Sequence, residues 1–362
     1  MWFEDLTGFV EQTGTDGAAE VRRNISVDGN EMTMWSLGRI RACGRLETPS
    51  LAALRDRAGS LPASIEPKRR PRLSEIVADV QDLHTDNAGA LFQVASQFNL
   101  LEMVSPDVSP DDGVTRYAYD RTQGPACAIA CGAGTIYRNY FAPVNGEIGQ
   151  SEHNQIDCLG ELGAQLGNSD GRLWQMRNGY ALPSKDGLAE TTRLIESLSL
   201  SERNVLMGHL RIGVQWDTEV TLTSNPTGQN HLVTQAYCSA LPVAYSGLPS
   251  SSWDPFAKLI LDAAYEATII AGALNAAATR NPTVFLTLLG GGAFGNDPEW
   301  IIDAIERALL LPVAAGLDVA VVSYGAPSPE YAELAKRMDQ HQVRADALTE
   351  IHQIADEAGM DL

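Results

Sequence analysis

Several function classes are excluded by what this chain lacks. Its 362 residues include five cysteines, Cys43, Cys127, Cys131, Cys158 and Cys238, an odd number with no Cys-x-x-Cys spacing. That pattern argues against a disulfide scaffold and against a structural zinc site. Cys127 and Cys131 lie in an alanine-rich stretch and read as small core residues. Unpaired cysteines fit a reducing, cytoplasmic compartment. No apolar run reaches the ~18–20 residues that span a bilayer. The N-terminus carries Glu4 and Asp5 without a basic-then-apolar pattern, so no secretion peptide is expected. Basic charge is scarce: 26 Lys and Arg against 46 Asp and Glu give a net charge of −20. Binding to nucleic acid through its phosphates needs a basic face and is not expected. A small anion is not excluded, because backbone N–H groups at a helix start hold phosphate without lysine. His84, His153, His209, His231, His341 and His352 are scattered. No His-Glu-x-x-His or Gly-x-Ser-x-Gly occurs, so zinc hydrolysis and a serine triad lack support. No metal is expected, no repeat is visible, and neither nucleic acid nor membrane is an expected partner.

What is present is a globular composition, 44% hydrophobic. Residues 1–75 read as a separate N-terminal α+β extension. Val21–Val27 and Glu31–Leu37 are expected as strands around the turn Asp28-Gly29-Asn30, with a helix near Ser50–Ala58. Pro62, Pro67, Lys68, Arg69, Arg70 and Pro71 read as a solvated linker. Leu91–Phe98 is expected as a buried strand and Pro125–Phe141 as helical. Helices are expected near Asn154–Leu166 and Leu188–Leu198. Leu210–Leu222 and His231–Tyr245 read as strands around Asn225-Pro226-Thr227-Gly228.

The last third carries clearer signals. Trp253-Asp254-Pro255 opens a helix, with Asp254 as N-cap and proline in the first turn, running to about Ala277. Arg280-Asn281-Pro282 ends it. Thr283–Leu289 is a continuous apolar, β-branched run that suits a strand buried on both faces. The turn Gly290-Gly291-Gly292-Ala293-Phe294-Gly295-Asn296 follows. Pro298–Leu310 has Trp300, Ile301, Ile305 and Leu309 at helical spacing, and Leu317–Tyr324 reads as another buried strand. Residues 328–358 read as charged amphipathic helices.

Gly290, Gly292 and Gly295 match Gly-x-Gly-x-x-Gly. A dinucleotide-binding reading also needs an acid at the end of the next strand, and that strand ends Val322-Ser323-Tyr324-Gly325. A phosphate loop of the Walker type needs Gly-Lys-Ser/Thr, and the turn closes on Gly-Asn-Asp. A tight strand-to-helix turn without a ligand is the plain alternative. Adjacent glycines cost backbone entropy, which makes most sense where something must approach the main chain.

The order of these segments resembles the macrodomain superfamily. The helix segment Leu261-Asp262-Ala263-Ala264-Tyr265-Glu266-Ala267, the strand Val284–Leu289 and the turn carry the resemblance. The core Gly292-Ala293-Phe294-Gly295 is similar to that of the poly(ADP-ribose) glycohydrolase branch. The long, mixed pattern also resembles a divergent group of bacterial effectors that removes ADP-ribose from arginine. The resemblance implies an α/β fold: a three-layer α/β/α sandwich with a mixed sheet over residues 76–330, and a helical segment over 331–362. It implies ADP-ribose or a mono-ADP-ribosylated protein as partner and no cofactor. It implies that Gly290, Gly291, Gly292, Ala293, Phe294, Gly295 and Asn296 wrap a diphosphate and that Tyr324 lies against the ligand. By the same resemblance Gln93 lies on a strand whose end places Asn99 at the distal ribose. Thr122, Gln123 and Gly124 would form a second ligand loop. The chain departs from the family where Leu100-Leu101-Glu102 follows Asn99, in place of a triple glycine and paired glutamates.

Cleavage at C1 of a ribose passes through an oxocarbenium-like state and calls for a carboxyl group. Glu102 is the first candidate because it follows the ribose-side strand; Asp254 and Glu266 come next, then Asp120 and Asp217. Asp254 also reads as a helix cap, Asp120 as a turn former, and Asp262 with Glu266 as a solvated i,i+4 pair. The expected function is removal of ADP-ribose from protein. A non-catalytic ADP-ribose reader is the alternative, and an NAD(P)-dependent oxidoreductase a more distant one.

Overall fold

The computed structural model describes residues 1–61, 69–222 and 230–341. Of the expected segments, Pro62 to Lys68, Asn225-Pro226-Thr227-Gly228 and residues 342–358 lie outside the described residues. The centre is a mixed seven-stranded sheet. Its strands, numbered along the chain, are β1 (Arg45–Glu47), β2 (Arg72–Val77), β3 (Leu91–Ala95), β4 (Gly213–Glu219), β5 (Leu232–Cys238), β6 (Thr283–Leu286) and β7 (Asp318–Ser323). Across the sheet the order is β1-β4-β5-β3-β6-β7-β2. The run from β5 to β2 is parallel, while β4 is antiparallel to both β5 and β1.

Side-chain alternation along β3 and β5 shows helices on both faces. Phe92 stacks on His84 of the helix Val80–Asp86, with ring centroids 3.7 Å apart. The next residue, Gln93, points the other way and donates to Thr268 Oγ1 at 3.1 Å, on the helix Asp254–Thr279. On β5, Thr234 donates to Asn275 of that same helix, and Gln235 donates to the Cys127 carbonyl on the opposite layer. The layers are thus α/β/α, as the resemblance implies. The helix Asp254–Thr279 is long and apolar enough to cross a membrane by length and composition, although its apolar residues are interrupted by charged ones. Its most apolar stretch is 83% buried inside the protein.

The central and C-terminal elements match their expected types. Pro125–Phe141 divides into Gln123–Ala130 and Gly132–Tyr140, and residues 329–341 are helical. Differences concentrate at the N-terminus. Val21 belongs to a helix, Gly14–Asn24, because Ala18 and Val21, three apart, both bury in the cluster around Phe3. The strands there are shorter, Ile25–Asp28 and Glu31–Met34, joined by Arg39–Ala42. The boundary expected at residue 75 falls inside β2, and residues 45–47 form the opposite sheet edge. Arg69 of the expected solvated run, with Arg72 at the start of β2, meets Asp318 at the start of β7.

Candidate functional site

The parallel strands β3, β5, β6 and β7 end along one rim of the sheet. There the segments after β3, β5 and β6 face the start of the helix Gln123–Ala130 across a cleft. Joined to it is a second cavity, reaching Ser323 and Tyr324 at the end of β7. The two measure about 270 and 790 Å³, the larger within the size range of small-molecule sites. Asp120, Thr122, Gln123, Thr287, Leu288 and Gly292 line both, so the cavities form one continuous site.

The helix that opens at this cleft is held by its first residue. Gln123 Oε1 accepts from Ala95 N–H at 3.0 Å, and its Nε2 donates to the Gln93 carbonyl at 2.8 Å. The side chain thereby pairs with the end of β3 as a neighbouring strand would. Gly124 must be glycine for packing, since a Cβ there would stand 1.9 Å from the Ala95 oxygen. The N–H groups of the first helical turn have no intrahelical partner, and this turn lines the cleft.

The glycine turn divides into positions that the fold demands and one that it does not. Gly290 has φ 77° and Gly295 φ 67°, where L side chains are strained. A Cβ on Gly290 would meet Ala240 Cβ at 2.5 Å, and one on Gly295 would meet Ala244 Cβ at 2.9 Å. Asn296 closes the turn by donating to the Leu241 carbonyl at 2.8 Å. Gly292 is different: its φ is not left-handed, and a Cβ would meet nothing within 4 Å. It lines both cavities, so the space beside it is the cleft itself.

Glu102 also lines the smaller cavity and is 3% exposed. Its position follows from a turn: Leu100 adopts φ 64°, and Leu100 N–H donates to the Gln97 carbonyl at 2.9 Å. The Glu102 N–H donates to the Tyr117 hydroxyl oxygen at 3.0 Å. Neither carboxyl oxygen has a hydrogen-bond partner among the described residues. Arg138 stands 3.6 Å away, also fully buried. Its Nε donates to the Leu100 carbonyl at 3.0 Å, its Nη2 donates to Thr135 Oγ1 at 3.1 Å, and the group lies over the face of Tyr237, 3.7 Å from the ring centroid. Burial therefore outweighs the Arg138 charge and the Tyr117 hydroxyl, and the Glu102 carboxyl is pushed up to about 8. Tyr180, Tyr245 and Phe294, which line the same cavity, form an aromatic cluster with centroids 5.4–5.7 Å apart. Tyr180 is fixed by donating to the Met103 carbonyl at 2.5 Å.

The structure thus brings Glu102, Thr122, Gln123, Gly124, Gly290, Gly292, Ala293 and Phe294 to one cavity, and Gly291 and Tyr324 to the adjoining one. Other expected site residues lie elsewhere. Asn99 is fully buried outside the cleft; its amide donates to Gln155 at 2.9 Å and its oxygen accepts from Leu101 N–H at 3.2 Å. The reason is that β3 ends at Ala95, and Asn99 lies inside the turn that Leu100 N–H closes on the Gln97 carbonyl. Gln93 points between layers, where its oxygen accepts from Thr287 N–H. Gly295 and Asn296 shape the glycine turn without lining either cavity. Asp254 is not the cap residue; it lies in the first turn and pairs with Lys258 at 3.0 Å. Glu266 is clamped by Arg55 at 2.6 Å and Arg307 at 2.8 Å, which hold its carboxyl below the ordinary range despite burial. Asp217 is exposed at a bulge in β4. Tyr117, Arg138 and Tyr180 were not singled out in the sequence. The available signal was Arg138, a lone cation in an otherwise small and apolar helical stretch.

No protein-family model and no curated protein matches the sequence. Solved structures do resemble it. Poly(ADP-ribose) glycohydrolase from Thermomonospora curvata is 14% identical, with 88% of this chain and 97% of that chain covered at a TM-score of 0.45. Poly(ADP-ribose) glycohydrolase from Deinococcus radiodurans, in complex with ADP-ribose, is 11% identical, covering 88% and 94% at a TM-score of 0.40. Neither activity nor ligand follows from likeness at this level, and the functional reading rests on the cleft.

Proposed function

We propose that the cleft takes the ADP-ribose of a modified protein and that the chain hydrolyses the bond at C1 of the distal ribose. The observation that carries this reading is Glu102: a buried carboxyl, committed to no hydrogen bond, in a cavity beside the glycine turn. A carboxyl pushed up to about 8 keeps its proton at neutral pH. It can donate that proton to the leaving atom as the C1 bond breaks and the oxocarbenium-like ribose forms. The carboxylate left behind lies 3.6 Å from Arg138 and then accepts a proton from the water that adds to C1. The peptide N–H groups of the glycine turn and of the helix start at Gln123 are suited to the diphosphate. Tyr180, Tyr245 and Phe294 provide apolar cover that keeps bulk water from the ribose. The leaving group we propose is the guanidine of a modified arginine, following the resemblance to arginine-directed hydrolases.

A second reading has one observation in its favour. Glu102 is flanked by Leu101 and Met103, not by a second acid, so binding without hydrolysis fits a reader module. Calorimetry with ADP-ribose, NAD and ATP in parallel tests the ligand, with ADP-ribose expected to bind tightest. Release of ADP-ribose from arginine-, serine- and glutamate-linked peptides tests the chemistry. Glu102→Gln should keep binding and lower turnover by roughly 10²-fold or more. Binding with no release from any peptide favours the reader. NAD binding as tight as ADP-ribose, with hydride transfer, overturns both readings.

A further inference from the structure

We propose that Arg121 is the cation that meets the phosphate groups of the ligand, on the adenosine side of the diphosphate; the inference rests on the ADP-ribose reading of the cleft. Arg121 is the only cationic side chain that lines either cavity among the described residues. The acids that line them are Asp79, Asp120 and Glu330 in the larger cavity, with Asp120 shared by the smaller, where Glu102 keeps its proton. In a chain of net charge −20, such walls oppose the approach of a diphosphate. The turn amides are neutral donors and do not cancel that repulsion alone.

Position selects Arg121 for the role. Its chain neighbours Asp120 and Thr122 line both cavities, so Arg121 stands at their junction, on the side of the larger one. If the ribose lies over Glu102, that side receives the adenosine-linked phosphate. The Arg121 side chain is exposed and makes no hydrogen bond or ion pair among the described residues. Several arginines elsewhere are committed, Arg55 to Glu266, Arg211 to Glu161, and Arg337 to Glu299 and Asp303, and the uncommitted ones among the described residues do not line either cavity. The adjacent acid is itself engaged, since Asp120 Oδ1 accepts from Thr122 N–H at 2.9 Å. An uncommitted planar guanidinium is matched to phosphate oxygens by its paired donors.

The test is titration of the full chain, as wild type, R121A and R121K, with ADP-ribose, AMP and adenosine at low and at physiological salt. R121A should weaken ADP-ribose and AMP by about tenfold or more, the scale of a lost charge-assisted hydrogen bond. It should leave adenosine unchanged and flatten the salt dependence of ADP-ribose binding. R121K, which keeps the charge without the fork, should recover part of the affinity. An R121A protein with wild-type ADP-ribose affinity overturns the inference and leaves the cleft assignment standing. Equal loss for adenosine also overturns it, because the contact would then not be with phosphate. A wild-type protein that binds neither ADP-ribose nor AMP overturns the cleft assignment as well.

Discussion

Replacing Gly292 by valine separates the demands of folding from those of the ligand. A Cβ at this position meets no atom within 4 Å, and the backbone there is not left-handed. The folded state therefore accepts a side chain, and the change in stability should stay within about 1 kcal/mol. Ligand approach is another matter, since the side chain would project into the space that both cavities share. A phosphate held by peptide N–H groups must come within hydrogen-bonding distance of the main chain. Losing one such charge-assisted bond costs ~1.5–3 kcal/mol, so affinity should fall by about 10-fold to over 100-fold. Gly290→Val is the contrasting variant. It places a Cβ 2.5 Å from Ala240 Cβ at φ 77° and should unfold or severely destabilise the protein. The assay is ADP-ribose calorimetry on Gly292→Val beside a thermal melt of both variants. A stable Gly292→Val protein with undiminished affinity would refute the placement of the diphosphate at this turn.

Four further outcomes follow from buried ionisable groups. With the proposed role of Glu102 as proton donor and its carboxyl pushed up to about 8, turnover in the complex should fall as pH rises through that value. In the same window the folded chain holds a proton that the unfolded chain has released, so stability should decline from the ordinary carboxylate range up to about pH 8; Glu102→Gln, compared by denaturant unfolding at about pH 5 and about pH 9, should lose that decline. His84 donates through Nδ1 to the Val80 carbonyl, and burial lowers it to about 4. Stability should be lost as pH falls from the ordinary histidine range through about 4, and imidazole nitrogen NMR at about pH 5 should report a neutral ring, a charged one contradicting the packing. Glu266→Ala should leave ADP-ribose binding intact and cost about 2 kcal/mol by denaturant unfolding, a value discounted because Arg55 and Arg307 are partly exposed. Lost binding with unchanged stability would return Glu266 to the site.

The sequence by itself determined the parts governed by neighbours along the chain. The β-branched run of β6, the helix after Pro298 and the glycine turn between them follow from local periodicity and backbone preference. Glu102 and the Thr122–Gly124 loop, which the sequence puts beside a strand end and a helix start, do line the cleft. Tertiary structure decided what depends on approach between distant segments. Asn99 and Glu102 are separated by three positions, yet the left-handed turn at Leu100 sends one into the interior and the other to the cleft. Only the fold sets Arg138, 36 positions further on, 3.6 Å from Glu102 while committing it to other acceptors. Its residual charge does not overcome burial, and that balance has no local sequence signature. The glycines of the turn look alike in sequence; Ala240 and Ala244, brought beside them from the end of β5, make Gly290 and Gly295 necessities of packing and leave Gly292 open to the cleft.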